Sequence, residues 1–254
     1  LRVLVCESCW LVQTEDFAQA DELFVENYAY FSSFSKTMLD HSKCFVDDMV
    51  ERYSLNKNSM VIEIAANDGY LLQYVKDKNI PCLGVEPTKS TAEAARSKGI
   101  EIVGEFFGVA LAKKLIEKGF SADLTVANNV LAHVPDINDF VEGYSLLLKP
   151  NGIATFEFPY LVNLLEKNQF DTIYHEHYSY LSLTAVDKIF NANGLHLFDV
   201  ELIDTHGGSL RVFAERKDSP REQVKALIVK ELLAEEESKG CLSQQACTGF
   251  QVLA

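Results

Sequence analysis

The sequence predicts an α/β protein built on a mostly parallel, doubly wound sheet with helices on both faces. Three observations carry that prediction. From Ser59 onward short apolar runs alternate with segments of helical period. The helical segments stop at glycines, as at Gly99, Gly119 and Gly194. Strand and helix regularly alternating implies right-handed βαβ units, hence a parallel sheet covered on both sides.

Taken in order, residues 1–58 read as an irregular, partly helical lead-in, with helical spacing at Leu39, Phe45, Val46, Met49 and Val50. Residues 60–65 form a buried strand and 70–78 a helix. A strand at 82–86, a helix at 88–98, a strand at 100–103 and a helix at 109–118 follow. Then come a strand at 124–128, a helix at 137–148 ended by Lys149-Pro150-Asn151-Gly152, and a strand at 153–158. Beyond Pro159 the pattern loosens. It returns as a helix at 184–193 and two strands, 195–202 and 209–214, joined by Thr205-His206-Gly207-Gly208. A charged helix is expected within 216–239, with Val224, Leu227, Ile228 and Leu232 as an apolar stripe without an obvious partner. Three regions result: 1–58, 59–215 and 216–254, the outer two reading as pieces cut from larger units.

Composition sets the class. The 254 residues are 48% hydrophobic and 24% charged, enough apolar surface for a core without staples. With 23 Lys and Arg against 37 Asp and Glu the net charge is −14, which argues against nucleic-acid binding through net charge. No apolar run reaches the roughly 18–20 residues of a membrane span. The first residues do not resemble a signal peptide, so a soluble cytoplasmic protein is expected. Six cysteines are too few for a disulfide scaffold. Cys6 and Cys9 form a C-x-x-C, which is half of a tetrahedral zinc site, a pair of free thiols, or part of a zinc knuckle.

Candidate ligand residues fall at strand ends, where doubly wound sheets bind their ligands. After the first strand of the sheet stands Glu63-Ile64-Ala65-Ala66-Asn67-Asp68-Gly69, without the G-x-G-x-x-G of a dinucleotide site. Such an acidic loop suits a ligand that lacks phosphates and carries an ammonium and a sulfonium group; alternatively Glu63 and Asp68 cap the next helix. Glu86, ending the second strand, is placed to take both ribose hydroxyls. Asn128 and Asn129 end the fourth strand and either hold an amino-acid moiety or satisfy loop backbone. Phe106 and Phe107 either flank an adenine ring or join the core.

The densest chemistry is Tyr174-His175-Glu176-His177-Tyr178-Ser179-Tyr180. A histidine accepts a proton near neutral pH, a neighbouring carboxylate orients it, and a tyrosine donates to a developing oxyanion. The two histidines lack the i, i+4 spacing of a helical metal pair. His133, just after the fourth strand, belongs at the same sheet edge, as an active-site group or a satisfied structural histidine. The run from His206 to Arg211 is either an ordinary hairpin or a substrate loop with a phosphate-binding arginine.

The motifs EIAANDG at 63–69, GVEP at 84–87, ANNVLAHV at 127–134, YHEHYSY at 174–180 and THGGSLR at 205–211 together resemble the sugar C-methyltransferase family. CESCWLVQ at 6–13 and the stretch 28–33 resemble the end of that family's small zinc domain. The resemblance implies a class I methyltransferase fold, S-adenosylmethionine as cofactor, structural zinc on Cys6 and Cys9, and a nucleotide-linked 4-keto-deoxysugar as substrate. It implies His177 as base, Glu176 orienting it, Tyr174 and His133 near the enolate oxygen, and Tyr28 as a further active-site tyrosine. Cofactor contacts would be Glu63, Ala65, Asn67, Asp68, Glu86, Phe106 and Asn128. Ala65 stands where the family usually has glycine. The competing expectations are a small-molecule O- or N-methyltransferase and a non-catalytic truncated paralogue.

Overall fold

The computed structural model describes residues 2–15, 20–25 and 29–240. The chain opens with strands β1 (Val3–Val5) and β2 (Val12–Thr14), then a one-turn helix α1 (Ala20–Leu23) and the long α2 (Lys36–Tyr53). The repeating part runs β3 (Val61–Ile64), α3 (Leu72–Asp77), β4 (Cys82–Val85), α4 (Lys89–Ser97), β5 (Ile102–Val103) and α5 (Val109–Glu117). It continues with β6 (Ala122–Asn128), α6 (Ile137–Leu147), β7 (Leu148–Pro159), α7 (Leu161–Glu166) and β8 (Ser179–Tyr180). Last come α8 (Leu183–Ala192), β9 (Leu195–Ile203), β10 (Ser209–Arg216) and α9 (Leu227–Ser238).

Seven strands form one sheet in the order β5-β4-β3-β6-β7-β10-β9. The first five are parallel, and β10 runs antiparallel between β7 and β9. From β3 the chain winds outward through β4 and β5, then returns to lay β6 on the other flank of β3. That reversal is the topological switch point, and it opens a crevice beyond the carboxyl ends of β3 and β6. This is the class I methyltransferase arrangement.

Each face of the sheet carries a core. One packs Tyr144, Phe156, Phe158 and Phe190 under α5, α6 and α8; the other packs Phe45, Met49, Leu71 and Leu72 under α2 and α3. Helix starts follow their caps: Ser35, Asp136 and Ser182 accept from Met38, Asp139 and Ala185 amides at the heads of α2, α6 and α8. No helix among the described residues is long and apolar enough to cross a membrane.

Three features depart from the sequence expectation. The lead-in is not wholly irregular: β1 and β2 form an antiparallel hairpin, and β2 pairs with β8 across Val12↔Tyr180 and Gln13↔Ser179. Strands of two or three residues are too short to show a period, and this pairing partner is remote in the chain. Second, β7 starts before 153, its register jumping from Ala122↔Leu148 to Leu124↔Ile153, so residues 149–152 bulge out.

The third departure concerns α9, which begins only at Leu227. Val224 and Leu227 are exposed, while Val229, Leu232 and Glu236 turn inward against α8 and β9. Half of the expected stripe, Ile228 and Leu232, does pack on the core, and the buried face has a partner. Glu236 is fully buried and accepts from Leu183 N (2.6 Å), Thr184 N (2.8 Å) and Thr184 Oγ1 (2.5 Å). It satisfies the free amides at the head of α8, where a carboxylate also meets the positive end of the helix dipole. Glu236→Ala should lower unfolding stability by about 3 kcal/mol, because several buried donors lose their acceptor together. Urea unfolding measures it, and a loss under about 0.5 kcal/mol would mean water replaces the carboxylate at no cost.

Candidate active site

A cleft of about 920 Å³ opens at the carboxyl edge of the sheet. Its wall includes Ala65, Asn67, Glu86, Phe106 and Asn128 as well as His133, Tyr174, Glu176 and His177. Residues scattered over more than a hundred positions thus face one space. Tyr28 lies outside the described residues.

The loop after β3 turns through left-handed backbone at Ala65 (φ 56°), Asn67 (φ 48°) and Gly69 (φ 75°). At Gly69 a Cβ would also come within 2.4 Å of Ile100 Cδ1, so a side chain there would add a displaced Ile100 to a strained backbone. Ala65 accepts the same backbone with a methyl group, at a cost of about 1 kcal/mol. Asn67 N donates to Glu86 Oε2 at 2.8 Å, tying this loop to the next strand end. Thr88 N and Oγ1 donate to Glu86 Oε1 at 2.9 and 2.6 Å. A carboxylate offers about four lone-pair sites, so Oε2 keeps room for a ligand hydroxyl while Oε1 is filled. Bidentate capture of two ribose hydroxyls, as the sequence suggests, would require Thr88 to yield.

Two expected cofactor residues do not line the cleft. Asp68 is buried and turned to the chain itself: it accepts from Ser33 N (3.3 Å) and Ser33 Oγ and pairs with Lys98 Nζ (3.3 Å). Glu63 sits within β3, 1% exposed, and neither of its oxygens makes a hydrogen bond of good geometry. Burial pushes its carboxyl well above the ordinary value, with the Tyr70 hydroxyl partly opposing. Tyr70, not Glu63, reaches the cleft wall. Asn67 lines the cleft, yet its side chain holds the lead-in, donating to Tyr30 O and accepting from Ser32 N, both at 3.0 Å.

Asn128 is different. It is 8% exposed, and both its amide atoms are buried without a protein partner. An unmet buried amide costs about 1–3 kcal/mol, which a polar ligand in the cleft would recover. Both neighbouring phenylalanines line the cleft, Phe106 as a 46% exposed ring and Phe107 packed edge-on against Phe140 and Tyr144.

Across the cleft, His177 Nδ1 lies 2.9 Å from Thr172 O. A carbonyl only accepts, so Nδ1 carries the proton and Nε2 is left with its lone pair. Tyr174 Oη lies 3.1 Å from that Nε2, and burial with Glu176 nearby raises the phenol, keeping it a donor. His133, on the 3-10 turn Leu131–His133 after β6, sets Nδ1 2.9 Å from Glu176 O, with its ring 4.7 Å from that of His177. Burial, with His177 alongside, draws His133 down to about 4, so it is neutral at pH 7. Glu176 therefore meets His133 through its carbonyl. The His177 ring nitrogen meets Thr172 O, a backbone oxygen that any residue would supply and that sequence cannot flag.

Arg211 is not a free anion binder. It is 7% exposed, with Nε 2.7 Å from Glu157 Oε1 and Nη1 2.9 Å from Glu201 Oε2. His41 Nε2 meets Glu157 Oε2 at 2.8 Å. Burial would raise Glu157, but His41 and Arg211 hold its carboxyl below the ordinary value. At the other end of the chain, the Cys6–Cys9 turn closes through Trp10 N to Cys6 O (2.8 Å). No group of three or more His, Cys, Asp or Glu that could hold a metal occurs among the described residues. Two thiols leave a zinc tetrahedron half filled.

A methyltransferase domain model matches residues 38–200. The chain belongs to the methyltransferase-domain family. It is 37% identical over 240 residues to the C-methyltransferase NovU of Streptomyces niveus, covering 94% of this chain and 56% of that protein. The chain thus spans little more than half the length of this relative. In fold it is similar to the PH0226 protein of Pyrococcus horikoshii OT3 (TM-score 0.60, 15% identity, 74% of this chain and 95% of that one). It is also similar to an S-adenosylmethionine-dependent methyltransferase of Clostridium acetobutylicum ATCC 824 (0.55, 12%, 70% and 92%). Magnesium protoporphyrin IX methyltransferase of Synechocystis PCC 6803, with bound SAH, gives 0.54 at 14% identity over 70% and 83%.

The His133 environment sets a pH dependence. Its folded value lies below its ordinary 6.5, so the stabilising contribution is intact above 6.5 and lost as pH falls toward 4. Between pH 8 and pH 5 this amounts to about 2 kcal/mol, and His133→Gln should flatten the unfolding-stability profile by that much. An unchanged profile would place the acid sensitivity elsewhere.

Proposed function

We propose that the chain transfers a methyl group from S-adenosylmethionine to the carbon beside the keto group of a nucleotide-linked 4-keto-deoxysugar. The observation that carries this reading is the pairing of an oriented base, His177, with an unmet amide, Asn128, on one cleft. Similarity to a C-methyltransferase supports a carbon acceptor.

The residues present fit the cofactor. Asn128 offers a donor and an acceptor to an amino-acid moiety, Glu86 Oε2 an acceptor to a ribose hydroxyl, and Phe106 an exposed ring to an adenine face. Bound there, S-adenosylmethionine supplies an electrophilic methyl group on a sulfonium.

The chain's own residues make the nucleophile. His177 Nε2 takes the proton from the carbon beside the ketone, and the C–H electron pair moves into an enolate. Tyr174 turns its hydroxyl from Nε2 to the enolate oxygen, where a donor stabilises the developing charge. Neutral His133 packs against the base without adding a cation that would discourage its protonation. Tyr28 would add a second hydroxyl. Cys6 and Cys9 would give half of a structural zinc set, the remaining ligands coming from outside the described residues.

His177→Asn should abolish both methyl transfer and deuterium wash-in at the carbon beside the ketone of a dTDP-linked 4-keto-6-deoxysugar. Its affinity for S-adenosylhomocysteine, by calorimetry, should stay within a few-fold. Methyl transfer without wash-in would point instead to an oxygen or nitrogen acceptor. Asn128→Ala should leave the melting point of the free protein unchanged or raised while weakening S-adenosylhomocysteine binding about tenfold. A lower melting point with unchanged affinity would assign that amide to the fold.

A further inference from the structure

Thr14 ends β2 at an inward position, 5% exposed, two residues from the equally buried Val12. Valine would fill that space as well, so a buried hydroxyl there needs an acceptor. It has one: Thr14 Oγ1 donates to His177 O at 2.9 Å, across 163 residues of chain. Thr14 N donates to the next carbonyl, Tyr178 O, at 3.0 Å. One residue of the N-terminal hairpin therefore meets two successive carbonyls of the active-site segment. The 177–178 peptide is held from its other side by Tyr178 N to Ala132 O (2.8 Å), and the amide before it by His177 N to Tyr174 O (3.1 Å).

We propose that Thr14 is a positioning residue for His177: its hydroxyl fixes the 177–178 peptide so that the imidazole meets Thr172 O through Nδ1 and presents Nε2 to the cleft. The proposal rests on the reading of His177 as the base. Without the hydroxyl, a buried carbonyl loses a donor, and the peptide turns toward another donor or toward water. The imidazole moves with it, and a displacement of about 1 Å at a reacting group costs on the order of 100-fold in rate. The cofactor side of the cleft, built on β3, β4 and β6, does not touch this bond. The N-terminal hairpin thereby braces the active-site segment without itself lining the cleft.

The test compares Thr14→Val with Thr14→Ser in the full chain by two readouts. Nitrogen-15 spectra of the histidines, with His177 assigned through His177→Asn, should show the Nδ1–H tautomer in the parent chain. Thr14→Val should mix the tautomers, and Thr14→Ser should restore the parent pattern. Turnover of a dTDP-linked 4-keto-6-deoxysugar should fall about 100-fold in kcat for Thr14→Val, with KM and S-adenosylhomocysteine affinity within threefold, and recover in Thr14→Ser. If Thr14→Val does not fold, Thr14→Cys replaces it, since a thiol is a weak donor. A parent tautomer and unchanged kcat in the hydroxyl-less variant would overturn the proposal. Turnover retained in His177→Asn would instead overturn the base assignment, and the spectra would still decide whether Thr14 sets the ring.

Discussion

A buried main-chain carbonyl must find a donor, and the active-site half of this protein is organised by that requirement between residues 172 and 180. The segment is too short and too irregular to satisfy itself. Thr172 O takes the His177 ring nitrogen, Glu176 O the His133 ring nitrogen, and the carbonyls of His177 and Tyr178 take the two donors of Thr14. Each bond that satisfies the backbone also places a chemically active side chain. The histidine tautomers follow from these partners, which leave Nε2 as the basic nitrogen of each ring.

The carboxylates divide by whether their oxygens are met. Glu86 gathers the loops after β3 and β4, Glu157 sits among His41 and Arg211, and Glu236 closes the head of α8. Glu86 does this on the cleft wall itself, and the other two away from it. Arg52 extends the Glu157 network to the sheet edge, bonding Asp199 and Glu201 and resting its guanidinium 4.3 Å above the Phe213 ring. Glu63 is the exception, buried off the cleft with the Tyr70 hydroxyl beside it. The unmet amide of Asn128 does line the cleft, at the switch point where a ligand is expected to bear its cost.

Both flanking regions are joined to the sheet domain. The β1–β2 hairpin pairs with β8, and α9 buries Val229 and Leu232 in the core shared with α8 and β9. The lead-in also crosses the cofactor loop, where Ser32 and Ser33 bond to Asn67 and Asp68. Side chains that look like ligand contacts in a linear motif thus serve to lay one segment over another.

The alternation of strand and helix from β3 to β7 is legible in the residues alone, because buried strands and amphipathic helices each carry their own period. So are the strand-end residues Glu86 and Asn128 and the histidine cluster, because their chemistry is unusual at such positions. Tertiary structure alone decided that Arg211 is tied to Glu157 and that Asp68 serves the lead-in rather than the cleft. Folding likewise turns Glu236 of α9 inward and sets Thr172 O against the His177 ring nitrogen. In each case the deciding partner is remote in the chain or is a backbone atom. Residue type carries no record of either, whereas periodicity is local and written in every turn.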